Sequence, residues 1–195
     1  MCAEAIGALR GRHPGETGHL VGKGPSLLHL RAEEFGPGPI VALNDAILIV
    51  EAFGLSNALY SLQKDGTPEH MVRPAKEVAL ILQREYGADW FPEHPRRILV
   101  DPVEDMGFGF QSEMSIRMGI WLLKHMHCRE IAFVCCDNLV NGSEQRVSVR
   151  RGRIDGDYYN GRDYTAVRPL VLADVEDVPH RFITPNWSRR KHETD

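Results

Sequence analysis

The sequence predicts a doubly wound α/β fold, a mostly parallel, Rossmann-like sheet of about six strands with helices on both faces. Two observations carry that expectation. Short apolar runs alternate along the chain with longer amphipathic stretches, and each apolar run ends in polar, turn-forming residues. Parallel neighbours need a long connection with a right-handed crossover, so strand, helix, strand in repetition places helices above and below one sheet. A third observation bounds the size: 195 residues, 43% of them hydrophobic and 26% charged, make one globular unit with enough chain to bury a core.

The candidate strands are GHLV (18–21), PIVALN (39–44), NALYSLQ (57–63), RRILVD (96–101), EIAFVCCD (130–137) and HRFITPN (180–186). Between them, SLLHLRAEEF (26–35), DAILIVEAFGL (45–55), RPAKEVALILQREYG (73–87) and SEMSIRMGIWLLKHMHC (112–128) space their apolar residues helically, as at Val78, Ile81, Leu82 and Tyr86. Residues 1–17 lack this rhythm and are expected to form a flexible arm before a single domain over 18–188. Residues 138–179 are too long for an ordinary connection and are expected to act as a lid-like insertion. The charged tail 189–195 should fray.

No apolar run approaches the roughly 18 residues of a membrane span, and the start MCAEAIGALRGRHPGE lacks a secretory pattern, so a cytoplasmic address is expected. A net charge of −4 does not point to nucleic acid as partner. Cys2, Cys128, Cys135 and Cys136 show no zinc-ligand spacing; Cys135 and Cys136 sit inside the apolar run IAFVCC, where free cysteine packs as a small hydrophobe. His125 and His127 beside Cys128 close a helix-like stretch, where His commonly faces solvent or the helix dipole. No metal is expected.

In an open parallel sheet, ligands sit beyond the carboxyl ends of the strands, near the point where strand order reverses. The residues there are Gly22, Lys23, Gly24, Pro25 and Ser26 after the first run, Asn44 and Asp45 after the second, Gln63 and Lys64 after the third, and Asp137 and Asn138 after the run 130–137. VGKGPSL carries the sharpest signal. Its glycines permit a tight turn and close backbone approach, Ser26 can cap the next helix, and Lys23 adds a cation for a phosphate. It is neither GxxxxGK[ST] nor GxGxxG, so a Walker-type ATPase and a dinucleotide fingerprint are not indicated. The same residues also suit a glycine turn that only joins strand to helix, and Asn44, Ser115 and Asp137 suit plain turn or first-turn positions.

GKGPSL (22–27), ALN (42–44), SIRMGIWLLKHMHCREIAFVCCD (115–137) and TPNWS (184–188), in this order and over about a third of the chain, resemble the bacterial CMP-sialic-acid sialyltransferases of glycosyltransferase family 42. The same layout is similar to the 6-hydroxymethylpterin pyrophosphokinase-like proteins. The resemblance implies a nucleotide at the strand ends, with the glycine loop near the phosphate and Asn44 and Ser115 near ribose, base or leaving phosphate. It also implies that Tyr158, Tyr159 and Tyr164 could clamp phosphate.

The sialyltransferases carry a catalytic histidine between the fifth strand and the last, and residues 138–179 contain none. Asp157 or Asp163 is the alternative base. RVSVRRGR (146–153) reads as an exposed strand or hairpin edge, or as a landing patch for a phosphate-bearing acceptor. The expected function is metal-independent transfer of a sugar from a nucleotide donor, CMP-type favoured, to an acceptor hydroxyl, with no cofactor. The alternatives are a Mg²⁺-dependent pyrophosphokinase acting on a pterin-like alcohol, with Asp45, Asp65 or Asp137 as metal ligands, and a nucleotide-binding module without chemistry.

Overall fold

The computed structural model describes residues 5–64, 71–108, 114–141, 146–155 and 167–185. Seven strands form one parallel sheet: β1 (Thr17–Val21), β2 (Ile40–Leu43), β3 (Leu59–Gln63), β4 (Ala79–Gln83), β5 (Arg97–Val100), β6 (Glu130–Val134) and β9 (His180–Ile183). An antiparallel hairpin, β7 (Arg146–Ser148) and β8 (Arg153–Asp155), stands apart from it. The helices are α1 (Ile47–Ala52), α2 (Arg84–Gly87), α3 (Ser115–His125), α4 (Asp137–Asn141) and α5 (Val167–Asp174).

The strand order is β5-β4-β3-β2-β1-β6-β9. The chain therefore moves outward from β1 to β5, returns through α3, and restarts at β6 on the other side of β1. Strand order reverses between β1 and β6, and the crevice that a parallel sheet offers to ligands opens at their carboxyl ends.

Both faces of the sheet are covered, as the near-continuous burial of its strands requires. On one face Leu20, Val41, Leu43, Tyr60, Leu62, Ile81 and Phe133 pack with Met118, Leu122 and Leu123 of α3 and Val171 of α5. On the other, Val21, Ile40, Ala42 and Val134 pack with Leu27, with Ile47 and Val50 of α1, and with Val147 of the hairpin. Among the described residues, no helix is long and apolar enough to cross a membrane.

The doubly wound parallel sheet expected from the sequence is the one observed, with three departures. Residues 73–87 do not form a crossover helix; their centre is β4, paired with β3 and β5 and buried at every position. Val78, Ile81 and Leu82 have helical spacing, but a strand covered on both faces loses its alternation, and a run as short as VALIL then fits either pattern. Leu80 and Leu82 face Met71 with Trp90, Phe91 and Leu99 packed around them, while Ala79 and Ile81 face the α3 side.

Residues 26–35 form two 3₁₀ turns, Pro25–His29 and Ala32–Glu34, rather than one α-helix. Buried Leu27 and Leu30 lie three apart, the period of a 3₁₀ turn, and Leu28 between them is exposed.

The expected loose arm is docked over residues 5–16. Leu9 is fully buried, and the N–H groups of Gly11, His13 and Gly15 donate to the carbonyls of His125, Met126 and His127 at 2.9, 2.9 and 3.1 Å. Those carbonyls at the end of α3 lack partners within the helix, so the segment satisfies groups that would otherwise need water. His13 Nε2 also pairs with the Tyr60 hydroxyl at 2.8 Å.

His19 in β1 fixes the approach to β2. Its Nε2 accepts the Gly36 N–H at 3.2 Å and its Nδ1 faces the Pro39 carbonyl at 3.4 Å, with the Phe35 ring edge-on. Both contacts together require the neutral imidazole with the proton on Nδ1. Burial lowers the His19 pKa below 6.5; the Pro39 carbonyl opposes this, and nearby Arg181 and Glu130 act in opposite senses.

A histidine that protonates more readily when unfolded contributes stability above pH 6.5 that is lost as pH falls through 6.5 toward the lower folded value. The unfolding free energy, measured in urea between pH 7.5 and 5.5, is expected to drop, and to drop less in His19→Gln. A residual slope is expected in that variant because burial also lowers the pKa of His125. An identical slope in parent and variant would show that His19 titrates alike in both states.

Candidate functional site

The carboxyl ends of β1 and β6 run on together beyond the sheet. Gly22 N–H donates to Val134 O at 2.8 Å and Gly24 N–H to Cys135 O at 2.9 Å. A Cβ on Gly22 would lie 2.8 Å from Cys135 O, and one on Gly24 would lie 1.9 Å from Asp137 Oδ2. Cys135 takes φ +55, a conformation rare for a residue with a side chain. The glycines of GKGPSL are thus required by the crossing of two chain segments.

The Asp137 carboxylate fills the space that Gly24 leaves. Its Oδ2 accepts the Ser26 hydroxyl at 2.7 Å and the Ser26 N–H at 3.3 Å, with both residues buried. A carboxylate therefore already sits against the turn where the sequence places a ligand phosphate. The N–H groups of Gly22, Gly24 and Ser26 are all engaged within the protein.

Lys23 points the other way, into an ion pair with Asp45; the lysine side chain is 9% exposed and the aspartate 0%. Asp45 follows Asn44 in the turn after β2. The hairpin covers this pair, because Val147 N–H donates to Lys23 O at 2.7 Å and Arg150 N–H to Asp45 Oδ2 at 3.2 Å. The Arg150 guanidinium also reaches Met71 O at 3.3 Å. Val147 and Ser148 are buried, so β7 is not the exposed edge that RVSVRRGR suggests; its valine faces the core.

Asn44 stands apart in this group. It adopts φ +53, is 7% exposed, and its Oδ1 is buried without a hydrogen-bond donor among the described residues. An unmatched buried acceptor costs about 1–3 kcal/mol, and buried polar atoms are otherwise almost always paired. Asn tolerates positive φ better than most residues, so the turn itself is compatible with this side chain.

Ser115, half-buried, opens α3, which runs antiparallel to the strands and so begins at the same edge of the sheet. Gln63 ends β3 there, with its amide engaged: Nε2 donates to Ser61 Oγ at 2.8 Å and Val72 O at 2.7 Å, and Oε1 accepts Val72 N–H at 2.8 Å. That amide ties β3 to the next segment. Lys64 and Asn138 are half-buried. Asp157, Tyr158, Tyr159, Asp163 and Tyr164 lie outside the described residues, as does Asp65.

The sequence places Asp45 at the strand ends and offers it as an alternative metal ligand, but does not pair it with Lys23. The available signal was Lys23 itself, since a lysine held in a glycine turn at a sheet edge needs a carboxylate when it is covered. Among the described residues no group of three or more His, Cys, Asp and Glu is placed to hold a metal ion. Burial pushes the Cys128 and Cys135 thiols up to about 12 and Cys136 up as well, so these cysteines are neutral packing groups. A cleft of about 550 Å³ lies at the opposite, amino-terminal edge of the sheet, between His13, Glu16, Phe35–Gly38 and Ser56–Ala58.

The architecture defines an α/β, Rossmann-like protein with its candidate site at the β1/β6 reversal. No protein-family model matches the chain, and no curated protein matches it.

The contact between Gly24 and Asp137 makes a direct prediction. Gly24→Ala is expected to cost about 1–3 kcal/mol in urea unfolding by overpacking the turn. Adding Asp137→Gly in the same chain should recover much of that loss, because the Oδ2, Cγ and Cβ that a Cβ at position 24 would meet, at 1.9, 2.6 and 2.7 Å, are then all gone. A double variant as unstable as the two single losses added together would show that the two positions do not meet.

Proposed function

We propose that the chain binds a nucleotide at the carboxyl edge of β1, β2 and β6 and transfers a sugar from a CMP-type donor to an acceptor hydroxyl. The observation that carries the binding part is Asn44: a buried amide oxygen without a donor, on a left-handed turn beside the strand reversal. Such an oxygen suits a ribose hydroxyl or a base N–H, which would supply the missing donor. The transferase part rests on the resemblance of GKGPSL, ALN and the segment 115–137 to the sialyltransferases of glycosyltransferase family 42.

In this reading the bond from the anomeric carbon to the donor phosphate breaks and CMP leaves. Lys23 is the nearby cation that stabilises its charge. The acceptor oxygen forms the new bond and gives its proton to a carboxylate, Asp163 or Asp157, with Tyr164 at the leaving phosphate. The buried thiols suit a reducing compartment such as the cytoplasm.

Calorimetry with CMP, UDP, GDP and ADP tests the binding step, and release of CMP from a CMP-sugar tests turnover. CMP is expected to bind, and Asn44→Gly to weaken it about tenfold, the scale of one hydrogen bond to a buried acceptor. Glycine accepts positive φ, so the variant's unfolding free energy should stay within about 1 kcal/mol of the parent. Unchanged affinity in a folded Asn44→Gly protein, or no binding of any of the four nucleotides at millimolar concentration, would overturn the assignment.

A further inference from the structure

The cation that the proposed function needs is covered in this structure. Lys23 is paired with Asp45, and the pair lies beneath a hairpin anchored to both residues, through Val147 N–H to Lys23 O and Arg150 N–H to Asp45 Oδ2. The ammonium is nearly excluded from solvent and its charge is already compensated by Asp45. We infer that the β7–β8 hairpin is an autoinhibitory latch, and that a ligand phosphate enters by replacing the Asp45 carboxylate at Lys23 as the hairpin lifts. The inference rests on the nucleotide reading for its ligand, but not for the latch itself.

Three features support a latch over a fixed wall. Among the described residues the hairpin joins the seven-stranded sheet through no strand ladder, so it is seated by the burial of Val147 and by hydrogen bonds to the loops rather than by the sheet itself. Two of those bonds converge on the Lys23–Asp45 pair, whose replacement by a phosphate would remove the acceptor that holds Arg150 N–H. A further bond, from the Arg150 guanidinium to Met71 O, belongs to the same residue, so Arg150 contributes both a main-chain and a side-chain contact to the closure.

The turn makes a clean variant available. Gly152 N–H donates to Val149 O at 3.1 Å and Gly152 takes φ +62, the pattern of a type I turn followed by a left-handed glycine. Arg150 is the second residue of that turn, where proline is favoured. Arg150→Pro therefore keeps the turn while removing both the N–H to Asp45 and the guanidinium to Met71. Asp45→Asn is the second variant: it removes the carboxylate charge that holds Lys23 and leaves the Arg150 N–H a neutral, weaker acceptor.

Amide hydrogen exchange at Val147, read against amides of α3, reports hairpin opening without any ligand. Exchange at Val147 is expected to rise about tenfold or more in Arg150→Pro, the scale set by one hydrogen bond to a charged group, with α3 unchanged. Association of CMP, followed by stopped flow, is expected to quicken severalfold in Arg150→Pro, and CMP affinity to rise in Asp45→Asn. Unchanged Val147 protection in both variants would overturn the latch, and so would a hairpin that opens while CMP binds parent and variants at the same rate and affinity. If Val147 opens as expected but no form binds CMP, the nucleotide reading fails and the latch stands.

Discussion

The close approach of the loop after β1 to the end of β6 is the constraint on which the site depends. Two chain segments cross where strand order reverses, and only glycine at 22 and 24 leaves room for Cys135 O and the Asp137 carboxylate. That crossing decides the rest. It holds Asp137 against Ser26, forces Cys135 to positive φ, and leaves Lys23 turned toward the end of β2. Asp45 then becomes necessary, because an ammonium excluded from water without a partner costs several kcal/mol, and breaking such a buried pair costs about 3–5. The hairpin follows in turn, since its Arg150 N–H gives Asp45 a further donor.

The electrostatics of this edge differ from those of a simple phosphate cradle. One cation, Lys23, stands among two carboxylates, and each carboxylate is already engaged. An anion entering here has to exchange with a carboxylate rather than fill an empty nest. Asp137 and Asp45 supply the negative charge at this edge, and the Asn44 Oδ1 is a buried acceptor without a donor among the described residues. Affinity at such a site depends on how readily the protein gives up its own internal pairs, as well as on contacts with the ligand.

Much of the architecture was legible because it is local. The run at 18–21 lies within β1, those at 39–44, 57–63, 96–101, 130–137 and 180–186 each contain a strand of the sheet, and placing polar strand ends at one edge needs only parallel topology. The misreading of 73–87 came from a different cause: a strand buried on both faces carries no alternation, so VALIL resembles a helix segment. The docking of residues 5–16 was not legible, since it depends on the unsatisfied carbonyls of residues 125–127 more than a hundred positions away. The same holds for the site. Gly24, Lys23 and Asn44 stand out in the sequence, but that Asp137 fills the glycine turn and Asp45 covers Lys23 are pairings across the fold, which no local pattern records.

The central claim is the location of the site, and amide chemical-shift mapping during a CMP titration tests it directly. The account predicts that the largest changes fall at Gly22–Leu27 (apart from Pro25), Asn44, Asp45 and Cys135–Asn138, on the carboxyl edge of the sheet. Changes confined to His13, Glu16, Phe35–Gly38 and Ser56–Ala58, around the cleft at the amino-terminal edge, would place the ligand at the other end of the molecule and contradict it.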